Sequence, residues 1–381
     1  MSPAPAAPGE PGGAFPPGPP TAHALVHAIT LVEQQAKACA DLGSPLYAAL
    51  LDQVALDLAT GGPCAAALAG HESAPAGAAV ALRLLGGVHA LVLTGRAPEL
   101  AAHYPSAGGH VDPARPAAAW PAFRSAVAAN LPWVRDWLTR PPQTNEVGRA
   151  NLLIAGLLHT LAGRARPVRL FELGASAGLN LLADRFRCES TDFSYGPADS
   201  PVLLTDAWRG APPVPPAGSP PLEFTERRGC DLTPIDPRSA EGALALRAYL
   251  WPDQPARAAR LEGALRLAAQ IPAPVEARGA ADFLRGVDVV DGTLTVVWHS
   301  IMRQYVPAEE WAAVERELAR LAGRSTAAAP FAHLAFEPRR DGDTHRFVLT
   351  VRSGREPERP LAEAAPHGLP ARALDAPPPG R

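Results

Sequence analysis

Apolar and polar positions alternate in two different ways along this chain. From Thr21 to about Gly163 the apolar residues recur at helical spacing, as in Leu31, Ala38 and Cys39, or in Leu46, Ala49, Leu50, Val54 and Leu58. This predicts helices over His23–Leu42, Pro45–Thr60, Ala78–Leu93, Arg96–His103, Ala117–Leu138 and Glu146–Leu161, with no strand. Beyond Arg166-Pro167, short runs rich in Val, Leu and Phe alternate with helical stretches, the pattern of a parallel sheet with crossover helices. Strands are predicted at Arg169–Leu173, Leu222–Arg227, Val275–Ala277, Leu294–Trp298, Phe331–Phe336 and Phe347–Val351. Helices are predicted at Ala177–Phe186, Ala240–Leu250, Gln254–Ala269 and Ala308–Ala322.

The expected organisation is a tail over 1–20, a helical unit over 21–163, a sheet-containing unit over 164–355 and a second tail over 356–381. Both tails are runs of Pro, Ala and Gly or Arg that bury too little apolar surface to offset chain entropy. The crossover from Asp184 to Pro221 is long and proline-rich, which marks it as a lid or a structural excursion.

Composition narrows the function classes. The 381 residues carry a formal net charge of -3, so no global basic field attracts nucleic acid, and a small-molecule partner is expected. Cys39, Cys64, Cys188 and Cys230 lack metal-ligand spacing and read as reduced thiols of a cytoplasmic protein. His23 and His27 have helical ligand spacing without an acidic or thiol partner, so no metal is expected. The apolar stretch Ala78–Thr94 is interrupted by Arg83, His89 and a Gly-Gly pair, a poor membrane span. Oligomeric state is not readable.

The richest motif is Leu170-Phe-Glu-Leu-Gly174-Ala-Ser176-Ala-Gly178-Leu-Asn180, an apolar strand running into a small-residue turn and a helix. Such a turn presents backbone N–H groups to a ligand. In S-adenosylmethionine sites, an acid at the end of the first strand precedes spaced glycines; Glu172, Gly174 and Gly178 supply that pattern, with Ser176 at the middle glycine position and Asn180 following. Dinucleotide binding fails, because it needs three glycines where the chain has Gly174, Ser176 and Leu179. The turn also satisfies G-x-S-x-G, the hydrolase nucleophile elbow, which makes Ser176 an alternative nucleophile. Position favours the cofactor: the turn lies on the first strand, after a helical region, whereas an elbow follows several strands.

Asp231 ends the second strand, where a carboxylate accepts ribose hydroxyls, and Asp282 follows the third, near an expected adenine. Turn formation and helix capping are the structural readings of these two acids. The fourth strand ends in Trp298-His299-Ser300 with Tyr305 close behind, making His299 and Tyr305 the catalytic candidates and His299 a general base. Its structural reading is a hydrogen-bonded core histidine. Gln143, Asn145, Glu146 and Arg149 form a polar cluster larger than capping requires and are assigned to substrate binding.

The phrases Ser44-Pro-Leu-Tyr47, His103-Tyr-Pro-Ser106, Gln143-Thr-Asn-Glu-Val-Gly-Arg149, Glu172-Leu-Gly-Ala-Ser-Ala-Gly178, Gly229-Cys-Asp231, Trp251-Pro-Asp253, Trp298-His-Ser300 and Pro366-His-Gly368 occur in order over nearly the whole chain. Together they resemble an uncharacterised bacterial family, domain of unknown function 2332 (DUF2332). The resemblance implies a shared core or site that includes Trp251, Asp253 and His367, and no activity. The expected fold class is α/β, a Rossmann-like sheet of the S-adenosylmethionine-methyltransferase type preceded by an all-helical N-terminal unit. The expected function is methyl transfer to a small molecule, with a non-catalytic ligand-binding module and a Ser176 hydrolase as alternatives.

Overall fold

A computed structural model describes residues 21–142, 144–214, 219–341 and 344–374. In chain order its helices are α1 (Ala22–Asp41), α2 (Pro45–Ala59), α3 (Pro63–Leu68), α4 (Val80–Leu93), α5 (Pro98–Ala101), α6 (Trp120–Ala129), α7 (Leu131–Leu138), α8 (Ala150–Leu161), α9 (Ala240–Ala248), α10 (Pro255–Ala268), α11 (Ala280–Arg285) and α12 (Ala308–Arg324). The strands are β1 (Val168–Leu173), β2 (Arg187–Ser190), β3 (Phe193–Tyr195), β4 (Leu203–Leu204), β5 (Phe224–Asp231), β6 (Val275–Ala277), β7 (Leu294–Ser300), β8 (Phe331–Asp341), β9 (Thr344–Ser353), β10 (Arg359–Ala364) and β11 (Ala371–Ala373).

The described residues form two compact units, one within 21–88 and 111–141, the other within 89–110 and 142–374. The division expected near 163 therefore moves, because the segment before β1 packs with the sheet: α8 residues Leu153 and Leu157 share a core with Leu170 and Val296. In the first unit the described elements are helical. The helix expected over Ala117–Leu138 breaks at Asn130, since Pro132 in the next turn has no N–H to continue the ladder. The unit's buried Asp57 is satisfied by the Cys64 N–H at 2.7 Å and the Arg124 guanidinium at 2.8 Å. The stretch Ala76–Leu93 has a mean hydropathy of 1.8, long and apolar enough to cross a membrane, and 56% of it is buried within the protein.

The second unit is α/β. Its eight-stranded sheet has the order β11-β10-β9-β8-β7-β1-β5-β6. The pairs β6-β5, β5-β1, β1-β7 and β7-β8 are parallel, and β8-β9, β9-β10 and β10-β11 antiparallel. Parallel strands are covered on both faces and read as continuous apolar runs, and β1 obeys this rule. Val168 and Leu170 pack with α8 and α10, while Phe171 and Leu173 pack with α11 and α12. Burying each of these large side chains contributes roughly 1.5–3 kcal/mol. Two expectations are corrected here. Residues 359–373, read as tail, supply β10 and β11, whose Leu361, Ala362 and Ala371 join the core. The helix expected over Ala177–Phe186 is only a 3-10 segment, Leu179–Arg185, after which the insertion forms the small sheet β3-β2-β4. The four cysteines are buried and form no disulfide.

Candidate functional site

The order of the parallel strands reverses around β1, with β5 on one side and β7 on the other, and open α/β sheets bind ligands outside the carboxyl ends of strands at such a point. At that end of β1, Gly174, Ser176 and Gly178 all have left-handed backbone, with φ of 66, 52 and 71°. Ser176 thus adopts the conformation that the expected glycine would have supplied, at a cost of roughly 1–2 kcal/mol. Asp231 secures it. One carboxylate oxygen accepts the Ser176 N–H at 3.0 Å and the other the Thr233 N–H at 2.9 Å. The turn is closely packed, since an added Cβ would lie 3.0 Å from the Met302 side chain at Gly174 and 2.8 Å from that of Val275 at Gly178. Asp282 stands apart, exposed in the first turn of α11 and paired with Arg285.

Beside this turn lies a buried polar cluster. Glu146, 5% exposed, accepts the Gly148 N–H through Oε1 at 3.1 Å. Its Oε2 takes Arg257 Nε at 2.8 Å and Nη2 at 2.5 Å, with His367 Nδ1 at 3.4 Å. Burial alone would raise the Glu146 pKa, but Arg257, then His367 and Arg260, hold the carboxyl well below the usual range. Trp251 meets His367 edge-on, ring centroids 6.0 Å apart, and carries the Arg257 guanidinium 5.7 Å from its own. Arg149 ties the cluster to the sheet: its Nε donates to Pro366 O at 3.0 Å and its Nη1 to Ser300 O, at the end of β7, at 3.3 Å. Gly148 is required here, because a Cβ would collide with the His367 carbonyl oxygen. Asn145 accepts the Leu179 N–H at 2.8 Å, and Asn180 donates to the Glu146 carbonyl at 3.4 Å.

Glu172 adjoins this cluster in the opposite electrostatic state. Burial pushes its pKa up to about 8; Asn180, Trp298 and Arg149 pull the other way without offsetting it. Asn180 and Trp298 lie within hydrogen-bonding reach of this carboxyl, although Glu172 Oε2, Asn180 Oδ1 and Trp298 Nε1 complete no hydrogen bond of ordinary geometry among the described residues. A neutral carboxyl both donates and accepts, so it can meet these atoms directly after a small shift, or exchange them for a water or a polar group of a ligand.

His299 belongs elsewhere. Trp298 faces α8 with Glu172, and the next residue on β7 therefore faces α12. His299 is 1% exposed, with Nδ1 2.7 Å from Glu337 Oε1 and Nε2 3.1 Å from His333 Nε2. Glu337 Oε1 also accepts the N–H groups of Met302 and Arg303 at 3.1 and 3.3 Å. Burial raises the Glu337 pKa, and these donors, His299 foremost, bring it below the ordinary value. The expected grouping of His299 with Tyr305 is corrected: Tyr305 is 67% exposed on the turn Arg303–Tyr305, while His299 is enclosed on the α12 face. Gln143 lies outside the described residues.

Sequence reasoning missed Arg257, Arg260, His333, Glu337 and Arg352. His333 and Glu337 did carry a signal, two polar residues four apart on one face of an otherwise apolar strand. Arg257 and Arg260 look like ordinary surface charge on a weakly amphipathic helix, and nothing local marks their burial.

A family model described as an uncharacterized protein conserved in bacteria (DUF2332) matches residues 30–372, and the chain belongs to this family. No curated protein and no solved structure matches it. Several phrases that carry the resemblance come together in the Glu146 cluster: Glu146 and Arg149 from one, Trp251 from a second, Ser300 from a third, and Pro366 and His367 from a fourth.

Proposed function

We propose that the carboxyl edge of β1, β5 and β7 binds a small molecule, and that S-adenosylmethionine-dependent methyl transfer is the activity this edge fits best. The order β6-β5-β1-β7-β8 supports the reading, because it reproduces the 3-2-1-4-5 arrangement of nucleotide-binding sheets, with an antiparallel strand beyond. The observation that carries it is Glu172. It sits two residues before a left-handed turn, neutral and with an unpartnered oxygen, where such folds take up their ligand.

Glu172 and Asp231 would hold the cofactor, Gly174, Ser176 and Gly178 would let it approach the backbone, and Glu146 and Arg149 would border the acceptor. When bound, the cofactor supplies an electrophilic methyl group. The chain contributes alignment, exclusion of water and a carboxyl that exchanges hydrogen bonds with the ligand. Asp231 still has lone pairs after accepting two N–H groups, since a carboxylate offers about four acceptor sites. Asp282 is too exposed to be assigned a role, and His299 faces α12; Tyr305, exposed on the turn after β7, lies within electrostatic reach of Arg149.

One observation favours a second reading, a non-catalytic module of the same fold. Met302 and Val275 already cover the turn glycines, and Asn145 has taken the Leu179 N–H. Calorimetry and thermal shift with S-adenosylmethionine and S-adenosylhomocysteine separate the two. Saturable heat with wild type, weakened about tenfold or more in Glu172→Ala, supports the cofactor. No heat and no shift at millimolar ligand rejects it in favour of the module. For Ser176, buried in the turn after the first strand with its N–H bound to Asp231, failure of a fluorophosphonate to label the protein disposes of the hydrolase reading.

A further inference from the structure

The α12 face of the sheet holds a second cavity, of about 690 Å³, lined among others by His299, His333, Glu337, Arg352, Trp311 and Val348. Its size is that of a small-molecule pocket rather than of a single ion. Along β8 and β9 the lining residues His333, Ala335, Glu337, Val348, Thr350 and Arg352 alternate with Leu334, Phe336, Leu349 and Val351 of the α8-side core, and the cavity shares no side chain with the Glu146 and Glu172 cluster.

Its charges are unevenly matched. At the rim Arg339 pairs with Glu358, and Arg303 lies 4.0 Å from Glu315 and stacks over Trp311 at 4.9 Å. Glu337 is engaged by His299 and two backbone N–H groups through one oxygen. Its other oxygen, Oε2, is buried without a hydrogen-bond partner among the described residues, and so is part of Arg352, directly across the β8–β9 pair from His333. Its Nε and Nη2 are buried and have no hydrogen-bond partner among the described residues. These two nitrogens form the side-on fork that matches the two oxygens of a carboxylate. A guanidinium left in this state is costly unless an anion joins it.

The histidines add direction. An ionised Glu337 can only accept, so His299 Nδ1 carries the proton between them, and one further proton lies between the two Nε2 atoms. The other ring nitrogen of His333 completes a chain of carboxylate, imidazole and imidazole on the cavity wall. A metal between the imidazoles would have only two protein ligands, and no group of three or more His, Cys, Asp or Glu suited to a metal occurs among the described residues. The adjacent Arg352 also disfavours a cation.

We propose that this cavity binds a small carboxylate-bearing molecule, its carboxylate on the Arg352 fork and its apolar body against Trp311 and Val348. The proposal does not depend on the reading of the other face. Calorimetry of the full chain with benzoate and 4-phenylbutyrate, and with benzamide as the uncharged control, tests it. Saturable binding of at least one carboxylate is expected, with benzamide about tenfold weaker or worse and Arg352→Gln losing a similar factor. Should Arg352→Gln fail to fold, ¹⁵N-histidine spectra of the wild type decide: the carboxylate is expected to shift the His299 and His333 ring resonances, and benzamide to leave them in place. Absence of binding by both carboxylates, equal binding of benzamide, undiminished binding by a folded Arg352→Gln, or unmoved histidine resonances overturns the proposal.

Discussion

The two faces of the parallel sheet solve the problem of buried charge in different ways. On the α8 face, Glu146 stays ionised because Arg257 is bonded to it, while burial pushes nearby Glu172 toward the neutral form against the weaker pull of Asn180, Trp298 and Arg149. On the α12 face, Glu337 stays ionised through hydrogen bonds from an imidazole and two backbone amides. Guanidinium pairing gives a closed, nearly rigid network. Imidazole and amide pairing leaves the carboxylate beside an open cavity. A single residue step, from Trp298 to His299, separates the two regimes.

The largest test of this contrast is Arg257→Met. It leaves Glu146 buried without its main partner, and urea denaturation should register a loss of about 3–5 kcal/mol, as for other broken buried pairs. Adding Glu146→Gln should recover much of that loss. If the single variant is as stable as wild type, the closed network is not what holds this face.

A second test uses pH, because the faces should respond with opposite sign. The folded pKa of Glu172 is raised from 4.5 to about 8, so its contribution is fully present below about 4.5 and is lost as pH rises toward 8. Glu172→Gln should therefore lose less stability than wild type across that window. Glu337 has a lowered folded pKa, so its contribution is present above 4.5 and is lost as pH falls. Glu337→Gln should flatten the acid side of the stability profile instead. Parallel profiles for both variants would contradict the assignment. The smallest effect belongs to Tyr305→Phe: at an exposed position its unfolding midpoint should correspond to a change within about 0.5 kcal/mol.

Much of this was legible beforehand. The apolar runs at 168–173 and 294–300 marked the paired central strands, and the glycine turn marked the edge where the chain is most polar and least relaxed. Other features were hidden for physical reasons. Trp298-His299-Ser300 reads as one cluster in sequence, but strand alternation sends its first two side chains to opposite faces. Arg257 and Arg260 are buried by tertiary packing that no local pattern encodes. The strands at 359–364 and 371–373 look like tail because Ala, Arg and Pro fill most of them, and their order comes from pairing of β10 with β9 and of β11 with β10, not from their own propensity.

The close fit of Gly148 against His367 has a consequence for how the protein is made. A chain extended only to residue 355 would contain every parallel strand, with Glu146 and Arg257 already in place. It would lack the Pro366 carbonyl that receives Arg149 and the imidazole beside Glu146. Synthesis must therefore pass residue 367 before the α8-face cluster can close, although the sheet beneath it is available earlier. Until then Arg149 lacks the carbonyl that receives its Nε, and the strand pairing of β9 with β10 brings in the missing segment.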